Sequence, residues 1–333
     1  MTETIGVIGA GAWGTALAML LADKGFNPTL WMYEQDLADE TQRTRENRVY
    51  LPGFTLSPSI TVTSSLENTV KGKSLLLSVA PSHTVRAVTG QYAPFLEKDV
   101  IIISASKGIE IDTLMPLSDI FMDVLPKHFH KRLCFLSGPS FAKEVAQKMP
   151  TAIALAAYDS HVGRKTQEVL SNGYFRVYTN NDVIGVELAG ALKNVVAIAA
   201  GVLEGMGFGY NTMAALLTRG LAEMARLGVA MGGKPATFSG LAGMGDLVLT
   251  CTGGLSRNRT LGTRLGKGEK LEEIMKNAKT VAEGVKTARA ARELSRKFNI
   301  DMPIVDEVYQ LLYEGKDPKL ALKDLMNREL KAE

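Results

Sequence analysis

The chain is poor in the residues that staple a fold or bind a metal. Its 333 residues include two cysteines and four histidines. Cys134 and Cys251 lie far apart among apolar or small neighbours, so buried free thiols in a reducing compartment are expected rather than a disulfide. The histidines do not cluster, and no metal site is expected. Charge of one sign is also scarce. The 38 basic and 35 acidic residues leave a net +3, too little to imply a nucleic-acid or polyanion partner. No basic n-region, apolar h-region or cleavage site precedes the first predicted strand at Thr4. A secretory signal is therefore not expected, and the protein reads as cytoplasmic.

What remains is an ordinary globular composition, 46% hydrophobic and 22% charged. The length exceeds what one compact core favours, so two domains are expected. Residues 1–182 read as α/β. Apolar β runs recur at 4–8, 29–32, 60–63, 74–79, 100–104, 133–136, 151–156 and 176–178, with helical segments between many of them. Most of these runs do not alternate, as expected for strands covered on both faces of a largely parallel sheet. After Asp182 the alternation stops and residues 183–333 read as helical throughout. The predicted class is a Rossmann-type, doubly wound, mostly parallel sheet followed by an all-α domain.

The first strand runs directly into Gly9-Ala10-Gly11-Ala12-Trp13-Gly14 and then into an apolar periodic helix. This is G-x-G-x-x-G in the context that a dinucleotide site requires. Gly9 allows the tight turn, Gly11 the approach of a pyrophosphate, and Gly14 close packing of the helix. Glu34 lies 20 residues beyond Gly14, near where an acid binds a ribose hydroxyl in an NAD enzyme. Tyr33 precedes it, however, and Arg43, Arg45 and Arg48 follow within reach of a 2′-phosphate. The choice between NAD(H) and NADP(H) stays open.

Two strand ends carry polar residues that packing does not require. Lys107 follows one and Gly138-Pro139-Ser140 follows the other, with Ser140 expected to cap the next helix. Ligands bind beyond the carboxyl ends of strands in such sheets, so Lys107 is a substrate-facing candidate. Residues 183–207 form the most apolar stretch, a helix buried almost all round apart from Glu187, Lys193 and Asn194. These polar residues argue against a membrane span. A buried lysine is costly unless paired, so Lys193 either snorkels to water or does chemistry. Further on, Asp246 stands in a glycine-flanked turn. Ser256 begins a helix whose first turn, Arg257-Asn258, suits an anion.

The motifs GAGAWGTALA, NRVYLPG, SKGIE, SGPSFAKE, GVELAGALKNVVAIAAG, GLAGMGDLVLTC and SRNRTLG occur in this order. In that order the chain resembles the NAD(P)-dependent glycerol-3-phosphate dehydrogenases, in particular the bacterial biosynthetic type. The resemblance implies reversible reduction of dihydroxyacetone phosphate to sn-glycerol 3-phosphate for glycerophospholipid synthesis. It implies Lys193 as catalytic acid/base. Substrate contacts would come from Lys107, Gly138, Ser140, Asp246, Ser256, Arg257 and Asn258, and Asn194, beside Lys193, is a candidate to orient the lysine or the substrate hydroxyls. Cofactor contacts would come from Ala12, Trp13, Tyr33, Lys107, Ala142, Arg257, Val281 and Glu283, beside Gly9, Gly11 and Gly14. Tyr33 stands where many bacterial members carry His or Arg, which weakens an expectation of NADP. A homodimer is a further expectation, with no membrane insertion. Related Rossmann-plus-helical dehydrogenases acting on 6-phosphogluconate, β-hydroxyacids or ketopantoate are the nearest alternatives, with a non-catalytic dinucleotide sensor behind them. Glu187 has no role in any of these readings.

Overall fold

The structure, a computed structural model, describes residues 3–276 and 282–330. Its strands are β1 (Ile5–Ile8), β2 (Thr29–Trp31), β3 (Thr61–Thr63), β4 (Leu75–Ser78), β5 (Ile101–Ser104), β6 (Leu133–Ser137), β7 (Thr151–Ala157) and β8 (Phe175–Asn180). They form one sheet in the order β3-β2-β1-β4-β5-β6-β7-β8, parallel except for β6 against β7. Val7 of β1 pairs with Leu30 on one side and Leu77 on the other. The first six positions follow the Rossmann order, whose winding direction reverses between β1 and β4. β1, β4, β5 and β6 are buried at every residue, which is why IGVI, LLLS, IIIS and LCFLS show no alternation. β8 lies at the sheet edge, with Phe175 and Val177 buried and Arg176 and Tyr178 turned out.

The helices accompanying the sheet are α1 (Ala12–Asp23), α2 (Gln35–Thr44), α3 (Leu66–Val70), α4 (Val85–Tyr92), α5 (Leu117–Val124), α6 (Ala142–Ala146) and α7 (Ser160–Leu170). After β8 every described element is helical. These are α8 (Val183–Gly205), α9 (Tyr210–Ala230), α10 (Pro235–Phe238), α11 (Asp246–Thr252), α12 (Arg257–Gly266), α13 (Leu271–Lys276), α14 (Glu283–Lys297), α15 (Pro303–Tyr313) and α16 (Pro318–Met326). The chain divides into two compact units. One comprises the chain up to Lys107 with Met115–Glu187, the other Gly108–Leu114 with everything from Leu188 onward. The division falls inside α8. That helix is long and apolar enough to cross a membrane, but 83% of its most apolar window is buried within the protein. Leu188, Leu192, Val195 and Ile198 have no exposed surface. Cys134 and Cys251 are both buried free thiols, their pKa values pushed up to about 12, chiefly by burial.

Two local expectations need correction. The stretch around Asp246 is not a loop. Leu241–Gly245 makes a π-helical turn that runs directly into α11. The glycines there serve close packing: a Cβ on Gly243 would lie 2.0 Å from the Phe238 carbonyl oxygen. Ser140 does not cap α6 either. The cap position is Phe141, and the Ser140 hydroxyl instead donates to the Gly138 carbonyl at 3.0 Å.

Candidate active site

Each unit carries a share of the predicted residues. In the first, Gly9 has φ +110°, in the left-handed region that favours glycine. A Cβ on Gly14 would lie 1.9 Å from the Gly9 carbonyl oxygen, so the start of α1 packs against the turn with no room for a side chain. At Gly11 the space is open, with nothing within 4 Å of where a Cβ would stand. Gly11 is also the N-cap of α1, with no side-chain cap bond and no acidic residue in the first turn. The N–H groups of Ala12 and Trp13 therefore begin a helix whose positive end no carboxylate of its own first turn offsets, which suits a diphosphate. Buried Asn47 steadies the turn, donating to Ala10 O at 2.8 Å and Thr15 Oγ1 at 2.9 Å. Sequence alone does not single out Asn47; its place in NRVYLPG is the one hint of it. Trp13 and Ala142 pack against the core of this unit, and the Trp13 ring lies 6.4 Å from that of Phe175.

At the end of β2, Tyr33 is 80% exposed, with its ring edge-on to Trp31. Glu34 is the N-cap of α2, and its Oε1 accepts a hydrogen bond from the Tyr50 hydroxyl at 3.2 Å. Arg45, which the sequence places within reach of a 2′-phosphate, is engaged within the protein. Its guanidinium donates to the backbone carbonyls of Ser57 and Ile60, tying α2 to the segment before β3. Arg48 pairs with Glu40 and Glu46. Beyond β5 and β6, Lys107 Nζ donates to the Gly138 carbonyl at 3.2 Å. Lys107, Gly138 and Ser140 thus form one local group at neighbouring strand ends.

Glu187, also in this unit, has a structural explanation. Its Oε1 accepts the N–H of Ser118 at 3.0 Å, in the first turn of α5. Pro116 occupies the cap position of that helix and has no acceptor side chain, so the glutamate caps from a distance. Burial raises the Glu187 pKa to about 8, Ser118 opposing the rise.

In the second unit, buried Lys193 does not snorkel. Its Nζ donates to Asp246 Oδ1 at 2.6 Å and to Thr250 Oγ1 at 2.6 Å. Asp246 and Thr250 stand one turn apart on α11 and are bonded to each other at 3.2 Å. Thr250 is not evident in the sequence, because reading Asp246 into a loop hides the i,i+4 relation. At the residue after Lys193, α8 meets α12. Asn258 Nδ2 donates to Asn194 Oδ1 at 3.0 Å, and Asn258 Oδ1 accepts the Gly284 N–H at 2.9 Å. The two asparagines thereby link α8, α12 and the first turn of α14. Ser256 caps α12, accepting the Arg259 N–H at 3.2 Å. Arg257, the first residue of α12, is exposed. Desolvation lowers its pKa and Glu283 acts in the opposite direction, but a guanidinium remains a cation throughout the working range. Lys193 with Asp246, and Arg257 with Asn194, Ser256, Asn258 and Glu283, are thus brought together within this unit. Val281 lies outside the described residues.

These groups are an uncapped helix start with no acid in its first turn, a cationic helix start and a buried lysine with a carboxylate partner. Two family models cover almost all of this chain. The N-terminal domain of NAD-dependent glycerol-3-phosphate dehydrogenase matches residues 4–163, and the C-terminal domain matches residues 182–323. The glycerol-3-phosphate dehydrogenase [NAD(P)+] of Geobacter sp. strain M21 is 55% identical over 333 residues, 100% of this chain and 99% of that one. The enzyme of the same name from Geobacter metallireducens is 56% identical with the same coverage. The crystal structure of glycerol-3-phosphate dehydrogenase from Coxiella burnetii superposes with a TM-score of 0.93 at 38% identity, covering 98% of this chain and 99% of that one. The chain belongs to the NAD(P)-dependent glycerol-3-phosphate dehydrogenases, oxidoreductases acting on a CH–OH group.

Proposed function

We propose that the protein reversibly reduces dihydroxyacetone phosphate to sn-glycerol 3-phosphate, with Lys193 as the general acid/base. The observation that carries the mechanism is the buried Lys193–Asp246–Thr250 group. A lysine placed for structure alone has no need of this cost; a proton donor in a dry site does. The bound nicotinamide supplies or accepts the hydride. As the carbonyl carbon gains that hydride, its oxygen becomes an alkoxide, and the Lys193 ammonium gives it a proton. In the reverse direction neutral Lys193 removes the hydroxyl proton. Asp246 compensates the lysine charge and, with Thr250, fixes the direction of Nζ. Arg257 and the capped start of α12 bind the phosphate, whose binding energy positions the reacting carbon. Gly9, Gly11, Ala12, Trp13 and Gly14 hold the diphosphate of the cofactor. Cytoplasmic supply of the glycerol phosphate backbone to phospholipid synthesis belongs to the same proposal. So does a homodimer, for which exposed Met244 and Val248 on the second unit are candidate contacts.

Steady-state rates and cofactor binding test this together. Lys193→Ala is expected to lose roughly 10²–10⁴-fold in kcat, while NADH binding by calorimetry hardly changes. Near-normal turnover would remove Lys193 from the chemistry. In the same assay free dihydroxyacetone should be a far poorer substrate than its phosphate ester, and equal turnover of the two would overturn the phosphate assignment.

A further inference from the structure

We infer that this enzyme discriminates in favour of NAD(H) against NADP(H), and that Glu34, held by Tyr50, is the residue that does so. The inference rests on the dinucleotide reading of the β1–α1 turn. The glycine loop itself is compatible with both cofactors.

The geometry at the end of β2 is specific. The two cofactors differ only at the adenosine ribose, which carries either a 2′-hydroxyl or a 2′-phosphate. In a Rossmann unit this group is met by the residues just beyond β2. Here that position is Glu34, at the start of α2. A carboxylate accepts a hydrogen bond from a hydroxyl but repels a phosphate dianion. Glu34 is exposed, and nothing in the core demands it. Its side chain is nonetheless directed, because the Tyr50 hydroxyl donates to Oε1 at 3.2 Å across 16 residues of sequence. The Tyr50 pKa is raised by burial and by Glu34 itself, so Tyr50 stays a protonated donor. The second carboxylate oxygen remains to accept from a ribose.

The cations that could reverse this preference are occupied or remote. Arg45 adopts a left-handed backbone conformation at the end of α2, and its guanidinium is bonded to the Ser57 and Ile60 carbonyls. Arg48 lies between two acids, Glu40 at 3.5 Å and Glu46 at 3.3 Å. Arg43 is in the last turn of α2, nine residues beyond Glu34, which places it on the order of 13 Å along the helix axis. A 2′-phosphate would thus meet a positioned carboxylate first, and specificity here comes chiefly from a repulsive element. Tyr33, exposed beside Glu34, adds an uncharged aromatic surface and no phosphate ligand.

The test is equilibrium binding of NADH and of NADPH to the full-length protein by isothermal titration calorimetry, with kcat/KM for each on dihydroxyacetone phosphate. The wild type is expected to bind NADH tighter by about tenfold or more, the scale of a like-charge contact in a partly solvated site. Glu34→Gln keeps the size and the acceptor for Tyr50 but removes the charge. It should tighten NADPH by roughly tenfold and weaken NADH, whose ribose hydroxyl loses the second carboxylate oxygen as its acceptor. Tyr50→Phe keeps the charge but frees its direction, and should weaken NADH without any gain for NADPH. Equal Kd values for the two nucleotides in the wild type would overturn the inference while leaving the dehydrogenase reading intact. So would a ratio unchanged by Glu34→Gln. Failure of both nucleotides to bind would overturn the dinucleotide reading itself, and this inference with it.

Discussion

A lysine inside an apolar run is the most legible feature of the second unit. Desolvation makes an ammonium in such a helix costly, so Lys193 demands an explanation from its sequence context alone. Its surroundings are less legible. Asp246 stands out as a lone acid among glycines, but Thr250 enters only because α11 is a helix with Asp246 in its first turn. The three side chains together make a definite prediction. Asp246→Asn removes the counter-charge from a lysine that is 6% exposed. Breaking a buried pair from one side typically costs about 3–5 kcal/mol, and the variant should lose stability on that scale in urea or guanidinium titrations. Its kcat should fall as well, because Nζ loses its orienting partner. The double variant Asp246→Asn, Lys193→Met should recover most of the stability and none of the activity. A single variant as stable as wild type would mean that Lys193 is not held as an ammonium by Asp246.

Among the elements, the strands and long helices are readable where apolar runs are strong. α2 escapes because QDLADETQRT buries only Ala38 and Thr41, leaving almost no apolar period to read. The contact of α8 with α12 is also invisible in sequence, since glycines inside helices look like weak points rather than contacts. Gly201 and Gly205 on α8 face Gly262 and Gly266 on α12. A Cβ on Gly201 would lie 2.0 Å from Arg259 O, and one on Gly262 would lie 2.0 Å from Ile198 O. On Gly205 and Gly266 the nearest oxygens would be 2.3 Å away. With four glycines at the crossing the backbones approach closely, and this approach lets Asn258 reach Asn194. Arg257, next to Asn258, depends on the same placement. Gly262→Ala should therefore do two things at once. Overpacking of this kind costs typically about 1–3 kcal/mol, and the displaced α12 should raise KM for dihydroxyacetone phosphate more than it lowers kcat. Gly268→Ala, with nothing within 4 Å of its would-be Cβ but φ +91°, is the control: it should cost stability through backbone strain and leave KM alone. A Gly262→Ala enzyme with unchanged stability and KM would show that the close crossing does not place the anion site.

For the whole molecule, the sheet order follows from alternating β and α segments and the handedness of their connections, so the architecture is accessible from pattern alone. Buried carboxyls that serve distant helices are not, because nothing local connects Glu187 to Ser118 or Glu223 to Ile304. Each unit holds one such group. Glu187 caps α5 in the first, while Glu223 in the second accepts the N–H groups of Ile304 at 2.8 Å and Val305 at 3.2 Å, at the start of α15. Burial raises their pKa values to about 8 and about 7 from an ordinary 4.5. The folded protein therefore keeps two protons that the unfolded chain releases above about 4.5, so stability falls as pH rises wherever the native state binds more protons. This contribution is fully present below pH 4.5. It is lost progressively up to about 7 for Glu223 and about 8 for Glu187. Glu187→Gln removes one titration without removing the acceptor for Ser118. Its midpoint of thermal unfolding should fall less steeply than the wild type's between pH 5 and 8, with the variant gaining relative stability toward the alkaline end. Activity on dihydroxyacetone phosphate should persist, because Glu187 serves α5 and not the Lys193 group. Parallel curves for the two proteins would mean that the Glu187 carboxyl ionises in the folded state as it does in the unfolded one.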